Sequence, residues 1–202
     1  MRTSLYQILE IPGMYDFVQN VLGGKRVFAT LQQAVARYLE TICYENVLDV
    51  GCGTGLAMTW FTGEYYGVGI NPHYLKKVLA TGPYFFQVGD ATALPFQDET
   101  FEVVFTLGVL HHLDAEQRPK MLAEIGRVCK SGGHLLILDG LIPSNRLNLI
   151  GYALARLDRG RYKMRIEQFQ NMLAQAFPAD RRISSQVYKV FPGEYVLSVI
   201  TK

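Results

Sequence analysis

The run NVLDV, residues 46–50, passes directly into GCGTG, residues 51–55. No other stretch limits the possible folds as much. A brief apolar run such as this suits a central parallel strand buried on both faces. Gly51, Gly53 and Gly55 then allow a tight turn and a close backbone approach. In a doubly wound sheet, the first strand-to-helix switch is where ligands bind. The residues after the loop, LAMTWF, read as the opening of a helix.

The same alternation continues along the chain. YYGVGI, YFFQVG, FEVVFTLGV and HLLILDG read as strands two to five. NPHYLKKVLA begins a helix, with Asn71 as N-cap and Pro72 at the first helical position. EQRPKMLAEIGRVCK is a second helix with Met121, Ile125 and Val128 as its stripe, ended by SGG. Upstream, TLQQAVARYLE repeats Leu31, Val35 and Leu39 at helical spacing, and IPGMYDFVQNVLGG is a further short helix. The end of the chain, ISSQVYKVF and EYVLSVIT, is a strand pair around Pro192–Gly193. Strand and helix in this order predict a doubly wound α/β sheet with an antiparallel edge.

Composition narrows the function. The 202 residues are 49% hydrophobic and 19% charged, an ordinary globular balance within one domain's reach. A net charge of +2 is too small for a nucleic-acid footprint. No window approaches 18 apolar residues, so no membrane span is expected. Cys43, Cys52 and Cys129 lack paired metal-ligand spacing. With no signal peptide evident, they point to a reducing, cytoplasmic compartment.

The glycine loop contains no Lys and is not a Walker cradle. G-x-G-x-x-G would require glycine where Leu56 stands. Asp49 at the strand end opposes a pyrophosphate and favours a cofactor carrying positive charge, such as a sulfonium or ammonium group. VLDVGCGTG, GDATALPF, FEVVFTLGVLHHL and RVCKSGGHLLILD lie in order across residues 45–140. Together they resemble the motifs of the class I S-adenosylmethionine-dependent methyltransferases, in their small-molecule, UbiE-like branch. That resemblance implies a Rossmann-like sheet of about seven strands, helices on both faces and an antiparallel C-terminal strand pair. It implies one domain over residues 1–202, with a helical lid near 4–44 and a helical insert near 142–176.

By the resemblance, Asp49 and Gly51 lie near the methionine moiety of the cofactor, and Cys52, Gly53 and Gly55 belong to its loop. Asp90 accepts from the adenine amino group, Ala91 presents its backbone N–H, and Leu107 packs beside the adenosine. The family's ribose acid is missing, because Gly69 stands in its place. Losing such a contact costs about 1–3 kcal/mol if the hydroxyls stay buried and unpaired. A water, Thr54 or Asn71 is the available repair, although Asn71 competes as an N-cap.

Direct methyl displacement demands alignment and a dry pocket more than a base. Candidate catalytic residues are His111 and His112 after strand four, Asp139 at the end of strand five, and Tyr15 in the lid, with Gln19 beside it. His73 reads as a surface residue and His134 as part of strand five. Arg156, Arg159, Arg161, Lys163 and Arg165 crowd ten positions around Asp158 and suit a carboxylate or phosphate on the acceptor. A solvated helix junction is the competing reading. No metal site is expected.

The expected activity is methyl transfer from S-adenosylmethionine to a small-molecule acceptor, anionic or partly apolar, by a monomer or homodimer. The alternatives are a non-methylating enzyme on this fold and a non-catalytic scaffold or regulatory subunit with a weakened cofactor site.

Overall fold

The computed structural model describes residues 24–74, 85–157 and 162–202. Helix α1 (Gly24–Leu39) precedes strands β1 (Asn46–Val50), β2 (Glu64–Gly69), β3 (Phe85–Val88) and β4 (Phe101–Leu107). Helix α2 (Gln117–Val128) leads into β5 (Cys129–Leu141). Helices α3 (Leu149–Leu157) and α4 (Ile166–Ala176) follow, then β6 (Arg182–Val190) and β7 (Gly193–Thr201).

The strands form one seven-stranded sheet in the order β3-β2-β1-β4-β5-β7-β6. β1 to β5 pair in parallel; β7 inserts antiparallel between β5 and β6. The order reverses between β1 and β4, so a crevice opens at the C-terminal ends of those strands.

Side-chain alternation divides the core into two layers. On one face Leu31, Ala34, Val35 and Leu39 of α1 pack on Val47, Val103, Phe105 and Leu136. On the other, Met121, Leu122 and Ile125 of α2 and Phe169 and Leu173 of α4 pack on Leu48, Val104 and Leu135. Each fully buried Leu, Ile, Val or Phe contributes roughly 1.5–3 kcal/mol relative to exposure. The helical stripes of α1 and α2 are those the sequence predicts.

The entry to α2 is fixed by a reciprocal cap. Asp114 Oδ1 accepts from the N–H of Glu116 and of Gln117, and Gln117 Oε1 accepts from the Asp114 N–H.

Two local expectations are corrected. The glycine loop opens into a single 3-10 turn, Met58–Trp60, and not into an α-helix. Its amides are taken elsewhere: Gly51 and Cys52 both donate to Val68 O, and Gly55 donates to Cys52 O. Trp60 is drawn at once into the core, 4.7 Å from the Phe28 ring centroid. The SGG run, expected to stop α2, lies inside β5. Glu99 and Thr100 donate to the carbonyls of Arg127 and Val128, so extended pairing begins as the helix ends.

Candidate functional site

Asp49 is second from the end of β1 and is 2% exposed. Register places it beside Gly67 of β2. Tyr65, Gly67 and Gly69 therefore share the face on which Asp49 projects. Tyr65 donates its hydroxyl to Asp49 Oδ2. Asp49 Oδ1 is buried with no hydrogen-bond partner among the described residues. Burial pushes the Asp49 carboxyl up to about 7, against the opposing pull of the Tyr65 hydroxyl. Trp60 Nε1 and Thr106 Oγ1 are similarly buried without partners.

Two glycines let neighbouring side chains close on this corner. Gly51 has φ +79°, and a Cβ there would lie 2.2 Å from Val109 Cγ2. A Cβ on Gly67 would lie 2.4 Å from the Phe86 ring and 2.9 Å from Cys52 Sγ. Cys52 is itself buried; burial first, then the Asp49 charge, push its thiol up to about 12. A thiol held neutral in this way is packing, not a nucleophile.

Beyond Gly69 the chain exposes Ile70, 74% accessible. Val88, paired with Gly69 at the end of β3, is 53% accessible. Ile70 follows the end of β2 and Val88 ends β3, and sequence reasoning did not single them out. Their signal is an exposed aliphatic residue at a strand end, visible only once the register is known.

Asp90 is exposed, and its Oδ1 accepts from Thr92 N and Thr92 Oγ1, both at 2.8 Å. The Thr92 N–H chiefly holds its carboxyl below the usual range. The loop after it is clamped to α2. Leu94 N donates to Glu124 Oε2 at 2.6 Å, and Arg127 donates to Glu124, Asp98 and the carbonyls of Phe96 and Leu94. Ala91 is half-buried against the core, as is Leu107 at the end of β4. Thr54 is exposed on the glycine loop. Asn71 acts as the N-cap: its Oδ1 accepts from His73 N at 2.9 Å, which commits that oxygen away from a ribose.

On the other side of β4, two separately chosen candidates meet. His111 is 8% exposed and its Nδ1 bonds Asp139 Oδ1. Asp139, 2% exposed, also accepts from His111 N at 3.2 Å and Gly140 N at 2.6 Å. His112 is exposed, its ring centroid 4.2 Å from that of His111. Tyr162 N donates to His111 O at 3.0 Å, and Arg118 Nη2 to Tyr162 O at 2.6 Å. Arg118 also stacks over the Tyr162 ring at 5.6 Å. Neither Arg118 nor Tyr162 was a candidate; their sequence separation hides a contact that only tertiary folding makes.

Tyr15, Gln19, Asp158, Arg159 and Arg161 lie outside the described residues. Lys163 turns toward Gly140, whereas Arg156 and Arg165 line an open cleft. His73 is exposed, and His134 in β5 bonds the Tyr38 hydroxyl at 2.8 Å. Among the described residues no three His, Cys, Asp or Glu side chains gather as a metal site, and no helix is long and apolar enough to cross a membrane.

Residues 48–137 match the methyltransferase domain family. The chain is 35% identical over 111 residues to the phthiotriol/phenolphthiotriol dimycocerosates methyltransferase of Mycobacterium leprae, over 51% of this chain and 40% of that protein. It is 34% identical over 121 residues to the demethylmenaquinone methyltransferase of Symbiobacterium thermophilum, over 54% of this chain and 47% of that protein. The matches thus span less than half the length of these curated relatives. A S-adenosylmethionine-dependent methyltransferase from Archaeoglobus fulgidus superposes with a TM-score of 0.69 at 17% identity, over 93% of this chain and 99% of that one. The seven-stranded mixed sheet with its flanking helices is a Rossmann-like methyltransferase fold.

Proposed function

We propose that this chain, with its methyltransferase fold and its domain match over residues 48–137, transfers a methyl group from S-adenosylmethionine to a small-molecule acceptor. The observation that carries the reading is Asp49 Oδ1. A buried carboxylate oxygen left unpaired is costly unless a donor completes it. It sits beside a glycine loop at the switch point of the sheet, where a ligand enters. A cationic donor such as the cofactor's ammonium group would fit that oxygen in charge and hydrogen bonding.

When bound, the cofactor supplies a sulfonium-activated methyl group. The chain's own residues hold and align. Asp49 accepts from the ammonium group, and the loop at Gly53 and Thr54 gives close backbone approach. Ile70, Val88, Ala91 and Leu107 offer apolar walls to the adenosine, and Asp90 keeps its second oxygen, Oδ2, for an amino group. Gly69 leaves the ribose without its acid, so affinity rests on the remaining contacts. Asp139 fixes the His111 imidazole through Nδ1, which sets its orientation toward an acceptor. His111 is then the group to take a proton from an acceptor hydroxyl or amine. Cys52 takes no part.

Calorimetric titration with S-adenosylmethionine and S-adenosylhomocysteine tests the reading. Micromolar binding by the chain, lost in Asp49→Ala, is the expected result. A folded sample that carries no copurified cofactor and binds neither compound at millimolar concentration overturns it in favour of a scaffold role.

A further inference from the structure

A cleft of about 740 Å3 runs along α3, walled by Arg146, Leu149, Tyr152, Ala153, Arg156 and Arg165. The cleft is shallow and open to solvent, with a volume in the roughly 300–1,000 Å3 range of small-molecule sites. Leu149, Tyr152, Ala153 and Arg156 follow helical spacing and share one face of α3. Arg146 stands one turn ahead of that helix, and Arg165 precedes the first residue of α4. The three guanidinium groups thus arrive from three places in the chain. Among the described residues no carboxylate lines the cleft and none of these arginines has an ion pair. Leu149 is left 75% exposed, with Leu147 at 87% and Ile150 at 53% beside it.

The cleft lies on the edge of the sheet that carries the His111–Asp139 pair. Asn148 Nδ2 donates to Pro192 O, which seats the start of α3 on the β6–β7 turn, next to the end of β5. Met164, the neighbour of Arg165, bridges to Leu141, and Tyr162 donates to His111 O.

We propose that this cleft binds an amphiphilic acceptor by its anionic end. The guanidinium groups take a carboxylate or phosphate, and Leu149, Tyr152 and Ala153 take an aliphatic body. The inference rests on the methyltransferase reading and names the acceptor class for it. Arg offers the planar, bidentate geometry that either anion needs. The apolar wall adds selectivity for a hydrocarbon-bearing anion over a free one. A bilayer surface is a poorer occupant, since Arg156 and Leu149 share one helical face, whereas an interfacial helix separates charge from hydrocarbon.

The test is titration of the full chain with dodecyl phosphate and dodecanoate below their micelle concentrations. Inorganic phosphate, octyl glucoside, and phosphatidylglycerol vesicles are the comparison arms. Saturable binding of either anionic amphiphile is expected, weakened about tenfold or more in the Arg146→Gln/Arg156→Gln/Arg165→Gln variant. S-adenosylmethionine binding should not change in that variant, whose fold is checked by circular dichroism. Equal affinity for inorganic phosphate or octyl glucoside, an unchanged affinity in the variant, or binding to vesicles alone overturns the proposal. Cofactor binding without amphiphile binding sinks this inference only. Amphiphile binding without cofactor binding sinks the methyltransferase reading and, with it, the acceptor role.

Discussion

Asp49 and Asp139 sit near the C-terminal ends of β1 and β5, each 2% exposed. Their surroundings differ. Asp139 accepts from His111 Nδ1, His111 N and Gly140 N, so both of its oxygens are satisfied within the chain. Among the described residues Asp49 accepts from Tyr65 alone, and its Oδ1 has no partner. One carboxylate is a finished structural unit. The other is left incomplete on the side of the sheet where the glycine loop opens. The difference teaches that equal burial does not mean equal completion: the two carboxylates differ in the hydrogen bond that Asp49 Oδ1 lacks among the described residues.

Breaking the finished unit should have the largest effect. Asp139→Ala strands a buried His111 and three donors, and should lower stability by about 3–5 kcal/mol, read from urea denaturation. The unfinished unit should respond in the opposite sense. Between about pH 4 and pH 7 an unfolded chain ionises Asp49 while the folded chain keeps it protonated. Its contribution to stability is thus full at acid pH and is lost as pH rises through about 7. Asp49→Asn removes that loss. The variant should match the parent near pH 4 and exceed it by about 2–4 kcal/mol at pH 8, in denaturation curves without cofactor. A variant less stable at pH 8 would contradict the raised carboxyl.

Two smaller changes sharpen the contrast. Gly69→Asp restores an acid on the Asp49 face, where the backbone is ordinary extended strand. It should tighten S-adenosylmethionine binding by about 1–2 kcal/mol, measured by calorimetry. Tyr65→Phe removes the hydroxyl that bonds Asp49 and should cost about 0.5–1.5 kcal/mol at pH 8. The parent's own cofactor affinity should rise from pH 6 to pH 7.5 as Asp49 ionises, and that trend should vanish in Asp49→Asn.

Much of the fold was legible in the chain. NVLDV, FEVVFTL and the stripe Leu31–Val35–Leu39 declare themselves by apolar period, because that period reports burial directly. The terminal strand pair was visible around Pro192–Gly193, but not that β7 would insert between β5 and β6. The helix expected after the glycine loop was misread. Loop amides bonded to Val68 O, seventeen positions from the start of the loop at Gly51, outweigh local propensity. Of the candidate site the sequence offered residue types alone. Asp49, His111 and Asp139 were all chosen, but their unequal completion was not.

By itself the sequence determined what depends on neighbours in the chain: the strands and helices, the glycine loop at a switch point, and the absence of an acid at Gly69. These follow from period, turn chemistry and residue identity. Only the tertiary structure decided which groups meet. It joined His111 to Asp139 across 28 positions, put Tyr65 against Asp49 through parallel register, and gathered Arg146, Arg156 and Arg165 around one cleft. The physical reason is that hydrogen bonds and burial act through space. The chain specifies each partner's chemistry, and packing alone fixes the distance between partners.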